Sequence, residues 1–181
     1  MDPNSTSVPV RTGRRPIRKS AARAAVAALA VFVFTLPLGC AVGRGDRAPD
    51  WQLRDTRGKQ VALHDYTGKV VLLDFWATWC PPCVAASPSV QRLHDRFAGR
   101  GFSVLAIHFD DSGDPAGYAR KHGYTFPILE SGREVARQYG VDRIPTLVLV
   151  DRDGVVAHRQ TGFSPDEEEE LAAIIERTLG G

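Results

Sequence analysis

Val70-Val71-Leu72-Leu73-Asp74-Phe75-Trp76-Ala77-Thr78-Trp79-Cys80-Pro81-Pro82-Cys83 is the stretch on which the fold turns. Its first seven residues are almost all apolar and rich in β-branched and aromatic side chains, which predicts a central strand covered on both faces. Cys80 and Cys83 follow at C-x-x-C spacing, with two prolines between them. From Pro82 to Phe97, Val90, Leu93, His94 and Phe97 recur at helical spacing. A strand that delivers C-x-x-C to a helix N-terminus suits dithiol redox chemistry. The unpaired N–H groups and the positive dipole end of the helix stabilise a thiolate on the first cysteine. The second cysteine lies within the first helical turn, near enough to close a disulfide. Cys80 is therefore the expected outward-facing nucleophile and Cys83 the sheltered thiol that resolves the mixed disulfide.

The rest of the chain serves other uses of this pair poorly. A structural zinc site takes four ligands, and neither a second C-x-x-C nor a paired-histidine motif is present. A purely structural disulfide over so short a loop would staple little. A copper-binding module would need a histidine beside Cys80 and Cys83, yet His64, His94, His108, His122 and His158 show no ligand spacing. Of these, His108 is the best candidate for a place near the cysteines, since it ends a strand just before Asp110-Asp111. A thiol peroxidase is the other alternative; Thr78 stands two residues before Cys80, but the paired Cys83 argues against it. No metal or other cofactor is expected.

Outward from the motif, strands alternate with helices. Trp51–Leu53 and Val61–Leu63 flank the turn signal Asp55-Thr56-Arg57-Gly58-Lys59 and predict a hairpin ahead of the main sheet. Pro88 interrupts the first helix, and Gly99-Arg100-Gly101 ends it. Phe102–Phe109 reads as a strand, Asp114–His122 as a helix, Phe126–Leu129 as a short extended segment and Glu134–Tyr139 as a brief helix. Thr146–Val150 and Val155–His158 form a second hairpin through Asp151-Arg152-Asp153-Gly154. Ser164, Pro165 and Glu167 form a capping-box start for the last helix. The pattern predicts an α/β fold with a mixed sheet between helices.

The protein has 181 residues and a net charge of +2, unevenly spread. Six basic residues against Asp2 give residues 1–39 a charge of +5, which leaves −3 for the remainder. The basic balance belongs to the leader and offers no footprint for nucleic acid. A basic stretch from Arg11 to Arg23, an apolar run from Ala24 to Leu38, and Gly39-Cys40 read as a signal peptide or signal anchor over 1–39. Residues 40–47, with Gly43 and Gly45, are expected as a tether, and 48–181 as the folded domain. Three fates remain open: lipidation of Cys40 with membrane attachment, an uncleaved anchor, or cleavage and release. Each puts the domain outside the cytoplasm.

Trp79-Cys80-Pro81-Pro82-Cys83 after Asp74-Phe75-Trp76-Ala77-Thr78 resembles the thioredoxin superfamily, and within it the TlpA/ResA-type thiol–disulfide oxidoreductases. The likeness runs from about Ala48 to the C-terminus and includes Ala48-Pro49-Asp50-Trp51, Gly68-Lys69-Val70-Val71 and Ile144-Pro145-Thr146. It implies a thioredoxin-like fold and exchange of a dithiol with protein substrates, more often as a reductant. Typical tasks are keeping apocytochrome c or copper-site cysteines reduced. It also implies an integral membrane thiol carrier as electron donor. Ile144-Pro145-Thr146 matches the superfamily's cis-proline loop, whose exposed Ile144 backbone would pair with an extended substrate segment. Trp79 would offer apolar contact at the rim.

Asp74 interrupts the apolar strand. A buried carboxylate is costly unless paired or protonated, and burial raises its pKa toward that of a useful proton acceptor for Cys83. Cytoplasmic-type thioredoxins carry aspartate at this position, whereas many TlpA/ResA-type proteins carry asparagine there and a glutamate three residues after the second cysteine. Here that helix position is Ala86, and Ala106 stands where thioredoxins often have lysine. The acid has moved from helix to strand, without the usual cation.

Overall fold

The computed structural model describes residues 41–110 and 112–181. Cys40 and the signal segment lie outside the described residues. In chain order the elements are β1 (Gln52–Arg54), β2 (Gln60–Ala62), β3 (Val70–Trp76), α1 (Pro81–Phe97), β4 (Phe102–His108), α2 (Pro115–His122), β5 (Ile128–Leu129), α3 (Arg133–Gln138), β6 (Thr146–Val150), β7 (Val156–Thr161) and α4 (Glu168–Gly180). Five strands form one mixed sheet in the order β5-β4-β3-β6-β7. β3 pairs parallel with β4 and antiparallel with β6, so it lies at the centre. All seven of its residues are buried, as its apolar run predicts.

The two sheet faces are covered differently. Val70, Leu72 and Trp76 of β3 pack with Val90, Leu93 and Phe97 of α1 and with Leu171 and Ile175 of α4. Val71, Leu73 and Phe75 face the other way, against Val135, Ala136 and Tyr139 at α3 and Trp51, Val61 and Leu63 at the hairpin. The β1–β2 hairpin forms its own small sheet, and a bridge from Asp55 to Leu129 ties it to the edge strand β5.

Local chemistry explains the punctuation. Asp55 Oδ1 accepts the backbone N–H groups of Arg57 (2.9 Å) and Lys59 (2.8 Å), closing the hairpin turn. Asp151 repeats the device, accepting from Asp153 (3.0 Å) and Val155 (2.9 Å) between β6 and β7. The Ser164–Glu167 capping box is formed, and its first turn is 3₁₀ before α4 proper begins at Glu168. Leu63, expected at the end of a strand, instead begins a 3₁₀ turn over Leu63–Tyr66. Arg92–Glu168 and Arg96–Glu169 pair α1 with α4 across the surface, and Arg100–Glu176 ties the 3₁₀ turn after α1 to α4.

The segment expected as a tether is docked along most of its length. Val42 is buried in the second core cluster. Gly45 N–H donates to Val156 O (2.8 Å), and Val156 N–H donates to Asp46 O (2.9 Å). The edge strand β7 leaves backbone groups unpaired, and this stretch takes them up.

Candidate active site

Cys80 occupies the N-cap of α1, and Pro81 opens the helix. Proline is suited to that position because its missing N–H would have had no partner there. The Cys83 backbone N–H points at Cys80 Sγ, 3.3 Å away. This is the place where the helix favours negative charge, so a thiolate on Cys80 meets both a donor and the dipole end. Cys80 and Cys83 are joined as a disulfide, with Cα atoms 5.2 Å apart. Cys80 is less open than its expected role suggests: its exposure is 4 %, against 1 % for Cys83. Part of that cover is the Ile144 carbonyl oxygen, 3.8 Å from Cys80 Sγ.

The loop before β6 closes the other side of the dithiol. The Ile144–Pro145 peptide is cis, as the family resemblance implies. Ile144 is half-buried and Pro145 buried. Thr146, expected at the substrate surface, turns inward instead. It is 1 % exposed, and its hydroxyl donates to Arg143 O (2.7 Å) and lies 3.2 Å from Thr161 Oγ1. Its side chain holds the loop in place and does not face outward. Trp79 does: at 55 % it is the exposed large apolar side chain of the described residues, beside exposed Pro81 and Pro82.

Asp74 lies on the same face of β3 as Trp76, between Ala106 of β4 and Leu147 of β6 in register. It is buried and takes part in no ion pair among the described residues. Burial pushes its carboxyl up to about 7. A group poised near neutrality can take or release a proton under working conditions. Ala86 of α1 is buried in the layer between α1 and this face, so the helix supplies no competing acid there. Ser87, also buried, donates its hydroxyl to Cys83 O (2.8 Å).

Asp110 was not foreseen as a site residue. Its Oδ1 accepts the Ser112 hydroxyl (2.7 Å) and backbone N–H (3.0 Å), and Trp79 Nε1 reaches it at 3.4 Å. The Asp-x-Ser turn pattern was visible in the sequence, but the reach of 31 residues to Trp79 was not.

A dithiol at a helix N-terminus, faced by a cis-proline loop on a thioredoxin-like sheet, defines a protein that exchanges thiols and disulfides. Residues 44–159 match the AhpC/TSA family, and the chain belongs to this thioredoxin-like family. It is similar to the thiol-disulfide oxidoreductase ResA of Geobacillus thermodenitrificans, at 37 % identity over 71 % of this chain and 75 % of that protein. The protein of the same name in Bacillus thuringiensis strain Al Hakam is 32 % identical over 68 % of this chain and 73 % of its own length. Among solved structures, a Chlorobium tepidum protein with the provisional name thiol:disulfide interchange protein DsbE aligns over 77 % of this chain and all of its own. Its TM-score is 0.73 and its identity 36 %. The chain is a thiol–disulfide oxidoreductase of the ResA/DsbE type.

Proposed function

We propose that this oxidoreductase works outside the cytoplasm as a reductant of protein disulfides. Cys80 thiolate attacks one sulfur of the substrate disulfide, forming a mixed disulfide and releasing the first substrate thiolate. Cys83, its proton passed to Asp74, then attacks Cys80 Sγ. The second substrate thiolate leaves, and the Cys80–Cys83 disulfide carries away the two-electron oxidation. The observation that carries these roles is the Cys83 N–H aimed at Cys80 Sγ from the first turn of α1. Exposed Trp79 and the half-buried Ile144 backbone are the surfaces on which an extended substrate would rest.

Support for the location comes from the basic and apolar pattern of residues 11–38, followed by Cys40 as the lipidation candidate. Among the described residues no helix is long and apolar enough to cross a membrane, so attachment would fall to that N-terminal segment. Protein substrates with vulnerable dithiols, such as apocytochrome c or copper-site cysteines, fit the reading. A membrane thiol carrier would return the enzyme to its dithiol form.

The reduced protein should convert the disulfides of insulin to thiols, with loss of its own dithiol in matching amount. Its reduction potential should fall near the thioredoxin value of about −270 mV; a value near the DsbA level of about −120 mV would make it an oxidant and overturn the direction proposed.

A further inference from the structure

The imidazole of His108 joins the loop that leads to the dithiol to the loop that follows β4. His108 ends β4 opposite Trp76 of β3, is 1 % exposed, and meets the Trp76 ring edge-on at 5.5 Å. Its Nε2 faces the backbone N–H of Thr78, two residues before Cys80, at 3.4 Å. Its Nδ1 contacts the backbone oxygen of Asp110. A carbonyl oxygen only accepts, so Nδ1 carries the proton; a backbone N–H only donates, so Nε2 must be bare. This fixes one neutral tautomer.

Both loops converge on this ring. A Cβ on Gly113 would lie 2.1 Å from Thr78 Oγ1, so the Asp110–Asp114 loop approaches the Cys80 loop closely. Gly132 N–H donates to His108 O (2.9 Å), and a Cβ there would come within 2.6 Å of that oxygen. Asp110, whose backbone the imidazole holds, is the residue whose carboxylate reaches Trp79.

We infer that His108 is a positioning residue for the dithiol site: as the neutral Nδ1–H tautomer it ties the Ala77–Trp79 loop to the Asp110 loop and thereby sets the rim that receives the substrate. The inference rests on the disulfide-exchange reading above and deepens it. A second proton, on Nε2, would set two donors against each other at Thr78 and release the tie. The charged groups lining the cavity beside the ring are Asp110 and Glu130. α2 brings Asp114, engaged at its own N-cap, and Tyr118; β3 brings Asp74 on the same face; α1 brings the Cys80–Cys83 pair. Burial raises the Asp110 carboxyl, but the Ser112 and Trp79 hydrogen bonds outweigh it and hold the group below its usual value. Asp110 therefore stays ionised near neutrality.

Nitrogen-15 spectra test the tie without any assay of turnover. At about pH 8 His108 should be the Nδ1–H tautomer, and the Trp79 indole signal should shift in His108→Phe. The Nε2–H tautomer, or a Trp79 signal indifferent to His108, overturns the inference. In turnover, His108→Phe should raise KM for a protein disulfide about fivefold, the equivalent of one ordinary hydrogen bond. His108→Asn, which can still accept from Thr78, should restore KM. A folded His108→Phe protein with wild-type KM contradicts the inference. If the wild type reduces no protein disulfide, the functional proposal fails, and the spectra still decide the role of His108.

Discussion

The two faces of β3 carry the same strand into two different environments. On one, Val71, Leu73 and Phe75 pack into a cluster without a buried carboxylate, built from α3, the hairpin and neighbouring strands. On the other, Asp74 sits between Val70, Leu72 and Trp76 beneath the helix that carries the dithiol. What sets the second face apart is the carboxylate: each face holds an indole N–H without a partner among the described residues, Trp51 on the first and Trp76 on the second, but only the second adds Asp74, which takes part in no ion pair among them. Burial of unpartnered polar groups costs stability. The first face spends its burial on holding the fold, whereas the second gives up some stability beside the reacting sulfurs. One strand thus separates packing from chemistry by residue parity.

The largest expected effect breaks the apolar face. Leu73→Ala removes a fully buried side chain, and the cavity left should cost about 2–5 kcal/mol. Denaturant unfolding would measure it. The exchange rate of the folded fraction should stay at the wild-type value; a matching loss of rate would show that the two faces are not separable.

Asp74→Asn should act in the opposite sense. Its carboxyl is raised from 3.8 to about 7 in the folded protein, by burial. Between those values the native state holds a proton that the unfolded chain has lost, so stability falls as pH rises through the window. The penalty is absent below about pH 4 and complete above about pH 7. On the order of 4 kcal/mol is at stake, so the oxidised variant should melt on the order of 10–15 °C higher at pH 8 and unchanged at pH 4. Turnover of a protein disulfide near neutrality should slow, since Cys83 loses its proton acceptor. Calorimetry at the two pH values, with insulin turnover alongside, checks both halves. A variant that melts like wild type at pH 8, or turns over like it, removes Asp74 from the chemistry.

The smallest effect lies outside both faces. Arg92 pairs with Glu168 at 2.5 Å, but the arginine side chain is 57 % exposed. Arg92→Ala should barely lower the denaturant midpoint, and the loss should shrink further in high salt. A larger cost would mean that the α1–α4 pairs hold the dithiol face together more than its core does.

What could be read along the chain were the features set by neighbours in sequence. Cys80 as N-cap, the aspartate-closed turns at Asp55 and Asp151, and the Ser164–Glu167 box depend on residues within five positions of one another. The apolar run of β3 announced a central strand for the same reason. Contacts across long separations were not legible. Gly45 and Asp46 look like tether residues until the edge strand β7 offers them partners. Thr146 follows the proline of its motif yet turns its hydroxyl inward to Arg143. His108 stood out only by its place at a strand end; its two bonds join loops that the sequence keeps 30 residues apart. Cys80 is more covered than a nucleophile at a helix start suggests, because Ile144, 64 residues on, lies over it.

The division of labour within the dithiol is the claim on which the rest depends, and trapping the mixed disulfide tests it most directly. Two variants, Cys80→Ser and Cys83→Ser, are reduced, offered a protein disulfide, and mapped by mass spectrometry. Cys83→Ser should accumulate a covalent adduct through Cys80, because attack proceeds and resolution cannot. Cys80→Ser should form almost none. An adduct that builds up through Cys83 as readily as through Cys80 would contradict the account.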